Sequence, residues 1–345
     1  MGGTSFLFGT VTAAHNADSI NDLRCHLNQT PNLKWMQDTV TELPGYWDLL
    51  VKKLPSIDGA FPGRQALNNF DRWLRQGFNP DEKSVSLGNT ILLPLVAMVG
   101  LKEYLQYVES KNPGCEDPLQ EFITLLQADK ASSPGSIGLC AGLLTAYAVA
   151  SSHTRLEFEE YGAAAIRLAM MIGVATDTQD AWHGKAKSYV AAWRNVEQGE
   201  QMKRAINLVH PQAYISVWLD EKRATITTTA AWIRSSILRQ FQGSGLTVAE
   251  SNIQGPIHCP NSESKDIADA ICELCEATPA LQLADVAKLA LRTYTNNGHG
   301  RPVGERNLHE LAVRGSLAAQ CNWYGTFAAL PLPCRFYPGG CFVWS

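Results

Sequence analysis

The sequence predicts an α/β chain whose core is interrupted by a separate α+β block. Three observations carry that expectation. A short apolar run from Ser5 to Gly9, and a second one leading through Ile137 to Gly138, read as buried strands bounded by glycine. Most of the first 180 residues show apolar side chains at three- and four-residue spacing, the period of helices packed on a core. From about residue 186 the texture changes to short alternating runs, the period of strands.

Taken in order, Ser5 to Gly9 is the first strand. Helical spacing then covers Asp18 to Leu27, Trp35 to Leu54, Arg64 to Arg75, Thr90 to Val108 and Asp117 to Gln127. Ser132-Ser133-Pro134-Gly135 is a turn cluster that leads into Ser136-Ile137-Gly138-Leu139-Cys140-Ala141-Gly142. Leu143 to Ala150 and Glu157 to Gly173 follow as helices. Tyr214 to Leu219 and Ala224 to Thr229 alternate around the polar turn Asp220-Glu221-Lys222-Arg223, a hairpin signal. Ala230 to Phe241 reads as a helix, Gly243 to Gly245 as a turn and Leu246 to Glu250 as a last short strand. Beyond them come a helix over Asp266 to Glu276, a strand over Leu289 to Tyr294 and a helix over Leu308 to Leu317. The expected organisation is a discontinuous core, residues 1–186 and 253–330, an inserted block, 187–252, and a Pro- and Gly-containing tail or linker, 331–345.

Composition removes several functions. With 345 residues, 45% hydrophobic and 18% charged, the chain can bury a sizeable core. The formal net charge of −4 and the scattered basic pairs leave no footprint for nucleic acid. The longest apolar stretch, Ile91 to Leu101, contains Pro94 and falls short of a membrane span, so no membrane partner is expected. The N-terminus lacks the basic and apolar regions of a signal peptide, and Phe6 stands where N-myristoylation needs Ser or Thr. A cytoplasmic location is expected. Nine cysteines, an odd number, point to free thiols. Cys272-Cys275 is a lone pair on a helix, and a zinc site would need a second pair, so no metal is expected.

Gly138-Leu139-Cys140-Ala141-Gly142 carries the chemistry. A strand enters it and a helix leaves it, the context of a nucleophile elbow with cysteine in place of serine. The turn is tight, so the flanking residues Gly138 and Gly142 are small. The helix start aims free N–H groups and its positive end at the thiol, favouring a thiolate and an oxyanion. A cysteine nucleophile needs a base. Of eight histidines, His258 lies in Gly255-Pro256-Ile257-His258-Cys259-Pro260, a loop that two prolines and a glycine make rigid.

These segments together resemble the starter-unit acyl-carrier-protein transacylase (SAT) domain of fungal non-reducing polyketide synthases, a branch of the malonyl-transacylase-like acyltransferases. The likeness rests on Phe6-Leu7-Phe8-Gly9, the GxCxG of residues 138–142, the histidine loop 255–260, Leu308 to Arg314, and Asn322-Trp323-Tyr324, in that order. It implies an α/β-hydrolase-like core with a parallel sheet and an inserted ferredoxin-like subdomain. It implies Cys140 as nucleophile, His258 as its partner, and the amide of Ala141 as one oxyanion donor. A second donor would be the amide of Val11, in Phe8-Gly9-Thr10-Val11-Thr12, where relatives read F-G-D-Q-T. The histidine would be oriented by a backbone carbonyl near Ser316.

What the resemblance implies functionally is a two-step acyl transfer through an acyl-Cys140 thioester. The donor would be an acyl-CoA or an upstream synthase's acyl-carrier protein, and the acceptor the phosphopantetheine of a carrier protein. No cofactor would be bound permanently, and the other domains of the same synthase would be partners. Malonyl-type relatives hold the substrate carboxylate with an arginine before a glycine. Here that helix reads Arg167-Leu168-Ala169-Met170-Met171-Ile172-Gly173, so Ile172 and Met171 would form an apolar acyl pocket. Rival readings are a malonyl-type extender-unit acyltransferase, a cysteine hydrolase of similar fold, and a non-catalytic carrier-protein docking domain.

Overall fold

In the computed structural model, residues 5–9, 17–58, 63–76, 88–128, 135–210, 212–229, 235–236, 239, 245–298, 300, 307–328 and 342–344 are described. Two sheets organise them. The first is three-stranded. β1 (Ser5–Phe8) lies at its centre, parallel to β2 (Gly135–Gly138) and antiparallel to Phe342–Trp344, which falls in the stretch expected as tail. Register is fixed by Phe8 opposite Gly138, so both strands end at the same level.

Helices pack around this sheet. α1 (Ala17–Gln29), α2 (Lys34–Lys53), α3 (Gly63–Gln76), α4 (Asn89–Lys111), α5 (Pro118–Ala128) and α6 (Gly142–Ser151) match the expected helices to within a few residues at each end. α4 runs through Pro94 for 23 residues, so it is long and apolar enough to cross a membrane, contrary to the sequence expectation. It is instead a core helix, with 78% of its most apolar window buried and the helix packed against α6 and the helix that follows.

That following helix, α7, spans Arg155–His183, well past the expected end at Gly173. Thr154 opens it with a capping box to Glu157. Gly173 lies inside it, where the missing side chain lets the backbone of Asn89 approach; an added Cβ would lie 2.2 Å from that carbonyl oxygen. The second half was hidden by buried polar residues. Asp177 accepts the N–H groups of Asn89 and Thr90 at 2.9 and 2.8 Å, capping α4 from a distant part of the chain.

The second sheet holds β3 (Lys187–Ala192), β4 (Ala213–Asp220), β5 (Arg223–Thr228) and β6 (Thr247–Gln254) in the order β6-β3-β5-β4, with antiparallel neighbours. A short strand, β7 (Cys321–Asn322), adds in parallel beside β4. The hairpin β4–β5 turns where the sequence places it. β3 and the next helix, α8 (Val196–Asn207), were not foreseen. The helix expected over Ala230 to Phe241 lies mostly outside the described residues; Ser235, Ser236 and Arg239 are helical.

The strand expected over Leu289 to Tyr294 is reduced to one parallel bridge between Ser136 and Thr293. The N–H groups of Ala290 and Leu291 go instead to the carbonyl of Ala150 near the end of α6, which leaves no ladder to build. α9 (Ser262–Ala277) and α10 (Leu308–Leu317) then return across α6 and α7, and α11 (Trp323–Ala328) follows β7. Cys272 and Cys275 are free, buried thiols on α9, which packs into the main core.

Candidate active site

The elbow forms because β2 runs directly into α6. The N–H of Leu139 donates to Phe8 O, and the N–H groups of Gly142 and Leu143 fold back onto the carbonyls of Leu139 and Cys140 at 3.0 Å. This turn forces Cys140 to φ +55°. Both glycines are needed. A Cβ on Gly138 would lie 2.1 Å from the carbonyl of Gly142, and one on Gly142 would lie 2.5 Å from the carbonyls of Phe8 and Gly9. Cys140 therefore sits just ahead of the N-terminus of α6, close to the end of β1.

His258 is mounted on the other kind of helix end. The last carbonyls of α10 have no partners within the helix, and the histidine loop takes them. The N–H groups of His258 and Cys259 donate to Ser316 O and Leu317 O, both at 2.8 Å. The ring Nδ1 lies 2.7 Å from Gly315 O and 3.1 Å from Ala319 O. Nδ1 thus carries the proton and Nε2 the lone pair, a tautomer assigned from this network. The Ser316 carbonyl was expected to orient the ring; it holds the backbone instead, and Gly315 and Ala319 orient the ring. Gly255, at φ +84°, and the Tyr214 hydroxyl, donating to Ile257 O at 3.1 Å, fix the loop.

The His258 side chain is buried, and among the described residues, Cys140 included, Nε2 has no hydrogen-bond partner. Burial dominates its acidity. It pulls the imidazolium pKa down to about 4, against the two carbonyls that favour the charged ring. Burial likewise pushes the Cys140 thiol up to about 11, outweighing the Ala141 N–H that favours the thiolate. The helix field favours a thiolate, but desolvation is the larger effect and disfavours the charged form of both groups.

The two mounts touch through Gly315 and Leu143. Gly315 faces the Leu143 side chain, three residues past Cys140, with an added Cβ 3.7 Å from its methyl carbon. The side chain of Asn296 reaches the elbow backbone at Gly138 and Cys140. No sequence signal singled out Asn296, which lies in a turn-like Thr-Asn-Asn-Gly run.

Of the other site expectations, Ala141 presents its N–H beside Cys140 at the elbow. Val11 lies outside the described residues. Met171 and Ile172 are buried in the main core on α7, beside the Gly173–Asn89 contact. Arg167 is occupied elsewhere. It donates to Glu42 Oε2 at 2.6 Å and to Ala280 O at 3.0 Å, and stacks over the Tyr46 ring. His153 and His309 bond the backbone at Lys288 and Leu283. Among the described residues, no three His, Cys, Asp or Glu side chains are grouped to hold a metal.

Comparison with known proteins shows what the chain is similar to. The family model described as "Starter unit:ACP transacylase in aflatoxin biosynthesis" matches residues 62–258. A non-reducing polyketide synthase of Aspergillus terreus is 40% identical over 95% of the chain, and iterative polyketide synthase afoE of Emericella nidulans 39% identical over 95%. The chain spans 12% of the length of each. Among solved structures, the acyltransferase domain from the second module of the salinomycin polyketide synthase superposes with TM-score 0.59 at 11% identity, covering 95% of this chain and 60% of that one. The malonyl-CoA:ACP transacylase of Synechocystis gives 0.54 at 11% identity, covering 95% and 85%. At such identities these two likenesses concern the fold alone.

Proposed function

The chain belongs to the starter unit:ACP transacylase family, and from that premise we propose that it moves a starter acyl group through a thioester on Cys140 to the phosphopantetheine of an acyl-carrier protein. The donor is an acyl-CoA or the carrier protein of an upstream synthase. The other domains of the same polypeptide are the remaining partners, and no cofactor is bound permanently.

The observation that carries this reading is the preparation of His258. Its Nδ1 is committed to two carbonyls, and its buried Nε2 is left free to take a proton. Because thiol and ring are both neutral at rest, transfer is concerted with attack. The Cys140 proton passes to Nε2 as sulfur bonds the thioester carbon. The ring then becomes cationic at the C-terminal end of α10, where the helix dipole is negative and favours it. The oxyanion develops beside the Ala141 N–H at the positive end of α6; Val11 is the proposed second donor. The C–S bond to the donor breaks, and the donor thiolate takes the proton back from His258. The carrier thiol repeats the cycle in reverse. All three acyl species are thioesters, so the exchange is near thermoneutral.

The finer architecture belongs to the same proposal. The order β6-β3-β5-β4, with α8 after β3, supports a ferredoxin-like inserted subdomain over 187–252. The β1–β2 pair feeding the elbow supports a hydrolase-like core over 1–186 and 253–330.

Intact mass spectrometry after incubation with a panel of acyl-CoAs and acyl-carrier proteins tests the function. The expected result is one acyl increment, mapped to Cys140 and discharged by holo carrier protein. Release of free acid with no increment and no transfer overturns it in favour of a hydrolase.

A further inference from the structure

Resting on the Cys140 reading above, we propose that Asn296 is a positioning residue that clamps the backbone of the nucleophile turn. With its amide oriented as hydrogen bonding requires, the side-chain nitrogen donates to Gly138 O at 2.6 Å and the oxygen accepts the Cys140 N–H at 3.1 Å. One side chain thus spans the two peptides that flank Leu139. Asn is suited to this task, since it offers a donor and an acceptor on one planar group.

The clamp answers a specific need. Cys140 is held at φ +55°, which is costly for a residue with a Cβ. Its N–H has no backbone partner in the turn, where the neighbouring amides of Leu139, Gly142 and Leu143 all have one. Buried and unpaired, it would favour a rearranged turn. Bonded to Asn296, it is satisfied in the strained conformation and unavailable as an oxyanion donor, which leaves that role to the Ala141 N–H on the other side of the nucleophile.

Asn296 is itself held firmly. It is buried, and its own carbonyl accepts the N–H of Asn322. Next to it, the Thr295 carbonyl accepts from the Thr326 hydroxyl at 2.7 Å, and the Thr295 N–H donates to Gly300 O at 2.9 Å. α11 and β7 therefore fix the clamp, and β7 in turn pairs with β4 of the second sheet. Asn296 also lines a cavity of about 120 Å³ together with Tyr147, Gly315 and Ala319, so it borders the two residues whose carbonyls orient His258.

The test compares the wild type with Asn296→Ala and Asn296→Asp in single-turnover acylation of Cys140 by hexanoyl-CoA. Asn296→Ala is expected to lower the maximal acylation rate about tenfold or more, with the half-saturating donor concentration changed less than about threefold. A folded Asn296→Ala protein with a maximal rate within twofold of wild type overturns the clamp. If Asn296→Ala does not fold, Asn296→Asp decides. An ionised carboxylate cannot donate to Gly138 O, whereas the protonated acid can, so its rate relative to wild type is expected to rise as pH falls. A ratio flat with pH overturns the clamp. If wild type takes no acyl group on Cys140, the transfer reading fails separately. The clamp is then read from alkylation of Cys140 by iodoacetamide, where a rate unchanged in Asn296→Ala overturns it and a change of about threefold or more supports it.

Discussion

Cys140 and His258 share a backbone anomaly: among the described residues they are the two that are not glycine yet lie at positive φ, at 55° and 58°. Each stands at a helix end, Cys140 before the first turn of α6 and His258 against the last turn of α10. Strain at both positions is held by hydrogen bonds made by other segments. Left-handed backbone lifts each side chain out of its turn, and the two helix ends carry opposite partial charges. On the proposed mechanism, the positive end serves the oxyanion and the negative end the imidazolium.

The strain gives a stability prediction. Glycine adopts φ +55° freely, whereas alanine keeps the Cβ penalty. Cys140→Gly is therefore expected to be at least as stable as Cys140→Ala, by roughly 1 kcal/mol, although glycine usually loses such comparisons. Both variants should fail to take an acyl group. Thermal unfolding of the pair checks the first expectation and intact mass the second. An acyl increment on either variant removes Cys140 as the nucleophile.

Neutral resting partners predict a particular reactivity. With the thiol pushed up to about 11, alkylation of Cys140 by iodoacetamide should keep rising with pH through 9 and beyond. A preformed thiolate–imidazolium pair would instead give a plateau across neutral pH. Peptide mapping separates Cys140 from the exposed Cys25 and half-buried Cys115.

His258 predicts a pH dependence of stability. Its folded pKa, about 4, lies below the unfolded value of 6.5. Above pH 6.5 both states hold a neutral ring and the group adds no slope. As pH falls from 6.5 to 4, the unfolded chain takes a proton that the folded one refuses, so stability drops. Below about 4 both are protonated and the slope ends. The loss is on the order of 3 kcal/mol. His258→Gln should flatten the urea-unfolding free energy over that window relative to wild type. Identical slopes in the two proteins would mean that the ring is not buried neutral.

Sequence alone disclosed the elbow because its constraint is local: two glycines, a cysteine, a strand before and a helix after. The histidine loop was legible for a similar reason, since prolines and a glycine mark it. What holds His258 was misplaced by one residue, because Gly315 and Ser316 are adjacent carbonyls of one helix end and only three-dimensional packing decides which meets the ring and which the backbone. The second half of α7 is not legible because Asp177 and Gln179 are buried polar residues whose partners, Asn89 and Ser264, lie far away in sequence. Asn296 was invisible for the same reason, being 156 positions from Cys140 and bonded only to its backbone.

The last prediction concerns which acyl groups are accepted. The family resemblance implies that Ile172 occupies the place where malonyl-type relatives have the arginine that grips a free carboxylate. Arg167 cannot substitute for it, because its guanidinium is bonded to Glu42 and Ala280 and stacked on Tyr46. Ile172 and Met171 are fully apolar and buried, so a malonyl carboxylate against them would be desolvated and unpaired, at a cost of several kcal/mol as an order of magnitude. An alkyl chain meets no such cost there, and a methionine adapts to irregular shapes. Acetyl or longer uncharged acyl groups are therefore expected as substrates, with malonyl-CoA poorer than hexanoyl-CoA by a factor of about a hundred or more in acylation efficiency. Steady-state transfer from the two donors to one carrier protein measures that ratio. Loading of malonyl as efficient as hexanoyl would sink the starter-unit reading and favour an extender-unit acyltransferase.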